Sequence, residues 1–78
     1  MVGKILKTMR RKNNLTQEEL SKLTFIGRST ISDYEREKTD INFDNMQNIA
    51  NACGYEIRFV KLSDKSYLSS KNINREEI

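Results

Sequence analysis

The stretch RSTISDYE, Arg28–Glu35, decides the fold. Ile31 and Tyr34 are spaced three residues apart, so a helix would place both of them on one side. The other side would carry only side chains that form hydrogen bonds, none of them apolar: Arg28, Ser29, Ser32 and Asp33. Such a helix packs on a core through one side and presents the other to a polar partner at close range.

Two further helices are predicted before this stretch. In the first, Val2, Ile5, Leu6 and Met9 fall at i, i+3, i+4 and i+7, which gives one apolar side ending near residues 13–14. The second begins at Thr16, which forms a capping box with Glu19 three residues later. Its inner side is predicted to carry Leu20 and Leu23, and it stops near Thr24.

A fourth helix and a change of period follow the stretch. Asn42 is a plausible N-cap, the apolar residues from Phe43 to Cys53 keep helical spacing, and Gly54 closes the helix. From Tyr55 to Leu62 the pattern alternates, with Tyr55, Ile57 and Phe59 on one side, which predicts a strand. A fifth short helix is the alternative.

That strand needs a partner, because its backbone groups must form hydrogen bonds. No other segment alternates convincingly, so the expected partner is the same strand of a second copy, related by a two-fold axis. The predicted organisation is a helical domain over 1–54, a dimerising strand over 55–62 and a polar, flexible tail over 63–78.

Charge and composition narrow the function further. The chain has 78 residues, 14 basic and 11 acidic, and five of the basic residues lie in the acid-free segment 1–17. This local positive charge suits a surface that meets phosphate. The chain has no His and a single cysteine, Cys53, so a zinc site of thiolates and imidazoles is excluded. Cys53 is interpreted as a small buried hydrophobic residue. No cofactor is expected. No apolar run approaches a bilayer-spanning length, so a cytoplasmic, nucleoid-associated protein is expected.

Two short helices joined by a tight turn, the second of them polar outside, match a helix-turn-helix. In that motif the second helix enters the major groove of DNA, where small polar side chains allow close approach and longer ones reach base edges. The outer side of Arg28–Glu35 fits this use.

The segment from Ile5 to Gly54 also resembles the Xre/Cro-type helix-turn-helix family, which includes phage repressors and antitoxins. The resemblance is carried by LTQEEL (Leu15–Leu20), RSTIS (Arg28–Ser32), ERxK (Glu35–Lys38) and Ile49-Ala50 with Gly54. It implies an all-α, lambda-repressor-like domain of four to five helices, here followed by one β-strand paired across a homodimer.

The resemblance also implies roles by position. Gln17, Thr30 and Lys38 would contact phosphates, and Arg28, Ser29, Ser32 and Asp33 would face bases. Asp33 has two open interpretations, acceptance from a cytosine amino group or orientation of a neighbouring arginine, either Arg28 or Arg36. Arg10 and Glu35 match a pair that joins the first and third helices in the family.

Two positions depart from the family pattern. The family usually has glycine where this chain has Phe25, in a turn that needs a positive φ, and often has glycine where this chain has Glu37. A bulky residue with positive φ is strained.

The function predicted from these features is a sequence-specific repressor of double-stranded DNA with a palindromic operator. The strand in place of the family's usual fifth helix resembles HipB-like antitoxins, which repress their own operon and bind a toxin protein. A phage-type or stand-alone repressor, and a protein-binding module on the same fold, are the alternatives. An enzyme is not expected, because no activated nucleophile and no glycine-rich phosphate loop are present.

Overall fold

The computed structural model describes residues 1–71, which form four helices followed by a β-hairpin. The helices are α1 (Val2–Lys12), α2 (Gln17–Thr24), α3 (Arg28–Glu35) and α4 (Phe43–Ala52). The hairpin pairs β1 (Phe59–Val60) with β2 (Tyr67–Leu68) in antiparallel orientation. The predicted all-α architecture with β structure at its C-terminal end is therefore confirmed.

Each helix contributes an apolar residue to one core. Leu6, Leu20, Ile31 and Ile49 come from α1, α2, α3 and α4 in turn, and each exposes 2% of its surface or less. Cys53, at the end of α4, joins them, and burial raises the pKa of its thiol. The helical spacing read from the sequence thus places one apolar side of each helix on a common centre.

Two side-chain caps determine where α2 and α4 begin. The Thr16 hydroxyl accepts from the Glu19 backbone N–H at 3.0 Å, and the Glu19 carboxylate accepts from the Thr16 N–H at 2.8 Å. The Asn42 side chain accepts from the Asn45 N–H at 2.8 Å. Both caps satisfy N–H groups that have no partner within the helix, as the sequence predicted.

Gly3 lets α1 pass directly against the C-terminal end of α3. A Cβ atom at this position would lie 2.5 Å from the carbonyl oxygen of Tyr34 and 2.8 Å from that of Glu35. Any side chain here would clash with backbone atoms, so the close contact between the two helices depends on glycine.

The turn between α2 and α3 places Phe25 in the left-handed region, at φ 61°. Two side-chain hydrogen bonds from α2 stabilise the turn. The Ser21 hydroxyl donates to the Ile26 carbonyl at 2.6 Å, and the Thr24 hydroxyl accepts from the Ile26 N–H at 3.3 Å. Phe25 itself is 96% exposed, so its ring gains nothing from burial to offset the backbone strain.

Four residues predicted to lie on the inner sides of helices are exposed: Val2 (39%), Ile5, Leu23 and Phe43 (42%). Leu23 is 55% exposed, because the buried positions of α2 are Leu20 and Thr24, one full turn apart. Ile5 is 52% exposed, because it faces a groove between α1 and α4 that the described chain leaves open.

The C-terminal strand differs from the prediction in extent and in pairing. Only Phe59–Val60 forms a strand, whereas 55–58 lies outside the sheet. The expectation that no other segment of the chain could pair with it is wrong, because Phe59 pairs with Leu68 and Val60 with Tyr67. A two-residue strand has no detectable alternation, which is why the sequence did not indicate Tyr67–Leu68.

The first part of the expected tail belongs to this hairpin. Lys65 lies in its turn at φ 65°, and the Ser66 carbonyl accepts from the Lys61 N–H at 2.7 Å. Ser69, just after β2, is buried. The rest of the tail, 72–78, lies outside the described residues.

A buried ion pair joins α1 to α3. Arg10 donates to both carboxylate oxygens of Glu35, at 2.7 and 3.0 Å, and to the Leu15 carbonyl at 2.8 Å. The two side chains are 11% and 3% exposed. Burial raises the pKa of Glu35, but hydrogen bonds from Arg10 and Gln17 outweigh it and hold that pKa below its usual range.

Removing the carboxylate should destabilise the domain strongly. In Glu35→Ala the Arg10 charge stays buried without its partner, which costs about 3–5 kcal/mol of unfolding free energy, measured by urea denaturation. The control is Glu56→Ala, which removes the more exposed pair with Arg58, with side chains 24% and 48% exposed. That change should cost much less, because solvent screens an exposed pair. Equal small losses in both variants would contradict the role of the buried pair.

Replacing Phe25 by glycine should have the opposite effect. Phe25→Gly removes the left-handed strain without opening a cavity, so the unfolding free energy should rise by about 1 kcal/mol. Urea denaturation measures it, with Leu62→Gly as a control because Leu62 is 86% exposed and is not among the residues with positive φ. A loss of stability in Phe25→Gly would show that the ring does stabilise the free protein.

Candidate nucleic-acid interface

The outer side of α3 and the start of α2 form one shallow surface depression. Gln17 of α2 lines it together with residues that follow at least eleven positions later in the chain. The lining residues are Gln17, Arg28, Ser29, Ser32, Asp33 and Arg36. They meet because Ile31, Tyr34 and Glu35 turn the inner side of α3 to the core, which leaves its polar side facing outward. The depression contains five of the seven residues predicted to contact DNA.

Gln17 is held in place by the buried ion pair. Its side-chain amide donates to Glu35 at 3.1 Å, so one carboxylate oxygen of Glu35 accepts from both Gln17 and Arg10. This leaves the carbonyl oxygen and the second N–H of the Gln17 amide for other partners. The side chain predicted to meet phosphate is thus oriented by the same contact that joins α1 to α3.

The N-terminal end of α3 is open. Its N-cap residue is Gly27, which supplies no side chain to cap the helix, and Arg28 and Ser29 next to it are exposed. Thr30, predicted to contact phosphate, is half-buried and is not among the residues that line the depression. Backbone N–H groups at an uncapped helix start attract anionic groups.

Asp33 has a cation beside it, although the contact is weak. The Arg36 guanidinium lies 3.4 Å from the Asp33 carboxylate, and both side chains are substantially exposed. This geometry is compatible with the orienting interpretation of Asp33 and does not involve Arg28. The sequence named Arg36 only as a possible neighbour of Asp33, and their i, i+3 spacing was the available signal.

Lys38 follows α3 and is exposed. Its backbone N–H donates to the Asp33 carbonyl at 2.9 Å, after Glu37 has turned the chain at φ 61°. The left-handed residue that ends α3 therefore also sets the direction in which Lys38 leaves the helix. The family's frequent glycine at this position and the glutamate here meet the same backbone requirement.

Glu37 has a second role that sequence reasoning missed. Its carboxylate accepts from the α-amino group of Met1, which is the main cause that lowers the pKa of Glu37, and backbone N–H groups of Lys4 and Gly3 contribute. A residue after α3 thereby caps the start of α1, whose own N-cap, Met1, provides no side-chain bond. The contact spans 36 residues, so no local pattern could have indicated it.

The assembled surface suits a polyanion better than a small molecule. It is shallow and combines two guanidinium groups, two hydroxyls and an amide with a single carboxylate. Arginine binds phosphate or the O6 and N7 atoms of guanine with two parallel hydrogen bonds, and serine hydroxyls contact either bases or phosphates. None of the helices in residues 1–71 combines the length and the apolar character that crossing a membrane requires.

Comparison with known proteins agrees with this geometry. A family model described as helix-turn-helix matches residues 6–60, which is well over half of the chain and includes every element from α2 to β1. A search of curated proteins found none that matches the chain significantly. With a family match over this length, the chain belongs to the Xre/lambda-repressor-like helix-turn-helix family and is a DNA-binding transcription regulator.

Proposed function

We propose that the protein is a repressor that binds a near-palindromic operator in double-stranded DNA as a homodimer. The observation that carries this proposal is the single depression in which Gln17, Arg28, Ser29, Ser32, Asp33 and Arg36 meet. The family is a regulatory one, and we propose no catalytic activity for the chain. The protein would act in the cytoplasm, on the DNA of the nucleoid.

The proposed contacts fall into two kinds. Arg28 reads a guanine at the exposed start of α3, and Ser29 and Ser32 let the helix approach the base edges closely. Gln17, Thr30 and Lys38 contact phosphates and fix the position of the helix in the groove. Asp33 either accepts from a cytosine amino group or keeps Arg36 in place.

Selection of bound duplexes from a random-sequence library tests the function. The wild-type protein should enrich a near-palindrome with half-sites about one helical turn apart, since a two-fold symmetric dimer presents its recognition helices that way. Sequencing of the bound fraction measures this. Enrichment of no sequence over the starting library would overturn sequence-specific binding.

Two variants separate base reading from phosphate contact on the selected duplex. Arg28→Ala should weaken binding by about 1–3 kcal/mol and relax the preference at one position of each half-site. Lys38→Ala should weaken all sequences alike, and titrations in a fixed salt concentration measure both. If Arg28→Ala lowered the affinity for every sequence equally, Arg28 would be a phosphate contact only.

An apolar groove between α1, α4 and residues 55–57 supports the homodimer. Tyr55 and Ile57, which were predicted to lie at the dimer interface, line this groove together with Ile5 and Met9 of α1 and Ala50 of α4. Ile5 and Tyr55 are 52% and 40% exposed in the described chain. A groove with this much exposed apolar surface is typical of an interaction site.

The hairpin carries further exposed apolar side chains. Phe59, the third predicted interface residue, is 63% exposed and stacks on Phe43 with ring centroids 5.9 Å apart. A two-stranded ribbon is only marginally stable on its own. A second copy would cover the groove and these rings with an identical surface, which is how two-fold dimers associate.

A charge in the groove should break the dimer. Ile57→Asp would bury an unpaired carboxylate in the interface, so sedimentation should show a monomer and operator binding should weaken at least tenfold, with helical circular dichroism retained. Leu62→Asp is the matched control, because Leu62 is 86% exposed and does not line the groove. If Ile57→Asp remained a dimer, the groove would be excluded as the dimer interface. A monomer in Leu62→Asp would place the interface at the hairpin turn instead.

We further propose that the repressor is the autoregulating antitoxin of a toxin–antitoxin pair. The supporting observation is that β structure, not a fifth helix, follows α4, although its two strands pair within the chain, whereas the resemblance to HipB-like antitoxins implied a strand shared between two subunits. A neighbouring gene for a kinase-like or RNase-like toxin, whose product forms a complex with this chain on co-expression, is the discriminating result. Its absence would favour a stand-alone or phage-type repressor.

A further inference from the structure

Phe25 is the most exposed of the large hydrophobic residues in the described part of the chain. Its exposed fraction is 96%, and its backbone occupies the left-handed region at φ 61°. A phenylalanine in this position costs stability through strain and recovers none through burial. The packing of the free protein therefore offers no reason for an aromatic ring at this point.

The turn holds the ring outward and close to the recognition helix. The next residue, Ile26, is buried, and its backbone N–H and carbonyl are both bonded to side chains of α2. Phe25 accordingly sits two residues before Gly27, the N-cap of α3, with its side chain in solvent. Arg28 and Ser29, the predicted base contacts, begin at that same end of α3.

The surroundings of Phe25 in the chain are basic. From Leu20 to Ser32 the sequence contains no acidic residue, whereas Lys22 and Arg28 flank the ring. Leu23, also in this stretch, is 55% exposed. A positive segment that carries an exposed ring favours a partner that is anionic and also offers apolar groups. Among base edges in the major groove, the C5-methyl group of thymine is the apolar group available, and phenylalanine is one of the side chains that contact it.

We propose that Phe25 is a specificity-determining residue that contacts a thymine methyl group next to the base read by Arg28. The proposal rests on the proposed function, since it requires that α3 enter the major groove. The proposal explains why a strained residue is found at this position: the left-handed backbone directs the ring of Phe25 away from the core and toward DNA. The exposed ring would then contribute to recognition of the DNA sequence.

Deoxyuridine substitution tests the contact directly, because uracil lacks only the methyl group. The probe is a duplex selected by the wild-type protein from a random library, with each thymine replaced in turn. Wild-type affinity should fall about fourfold at one position, or at its symmetric pair, as expected for one buried methyl group. Phe25→Gly removes the ring from both subunits, so where both half-sites carry the thymine it should bind the parent duplex about sixteenfold more weakly. It should also no longer distinguish thymine from uracil there.

Two further variants exclude indirect effects. Phe25→Tyr keeps an apolar ring and should keep the discrimination, whereas Phe25→Asn tolerates the left-handed backbone without a ring and should lose it. Urea denaturation of each variant shows that lost discrimination does not come from unfolding.

The outcomes separate this proposal from the proposed function. If the wild-type protein binds its selected duplex but responds to no thymine replacement, the methyl contact is wrong while operator binding stands. An unchanged thymine-to-uracil ratio in Phe25→Gly has the same meaning. If the wild-type protein selects no duplex at all, the proposed function fails and this proposal fails with it.

Discussion

The buried pair of Arg10 and Glu35 is the contact on which the rest of this domain depends. It ties α1 to α3 through two hydrogen bonds, and the same carboxylate holds the Gln17 side chain at the start of α2. Three helices thus meet at one carboxylate that is 3% exposed. Because its partners satisfy both oxygens, the charge is retained despite burial, and α3 has a fixed orientation relative to α1 and to the start of α2.

Local chemistry explains why so much of the fold could be predicted. The capping box at Thr16, the Asn42 cap and the helical spacing of apolar residues inside each helix all act within a few residues, so they can be recognised in the sequence. The left-handed backbone at Phe25 was expected, because the family has glycine in a turn that needs a positive φ, whereas the left-handed backbone at Glu37 was not predicted. The outer side of α3 follows directly, since it is what remains once the inner side is buried.

Contacts between distant residues explain what could not be predicted. The requirement for Gly3 arises from backbone atoms of Tyr34 and Glu35, and the capping role of Glu37 arises from the first turn of α1. The β2 strand is two residues long, too short to display a period. Ile5 has helical spacing but faces an open groove, because periodicity identifies an apolar side and not what covers it.

The division of α3 into two sides also has an evolutionary consequence. Its inner residues carry the core contact and the ion pair, while Arg28, Ser29, Ser32 and Asp33 take no part in the hydrophobic core. Substitutions on that outer side remove little burial and so cost little stability. Under the proposed function, duplicated copies of such a gene can therefore diverge in the DNA sequence they recognise while the core stays unchanged, so DNA specificity is easier to alter than the fold.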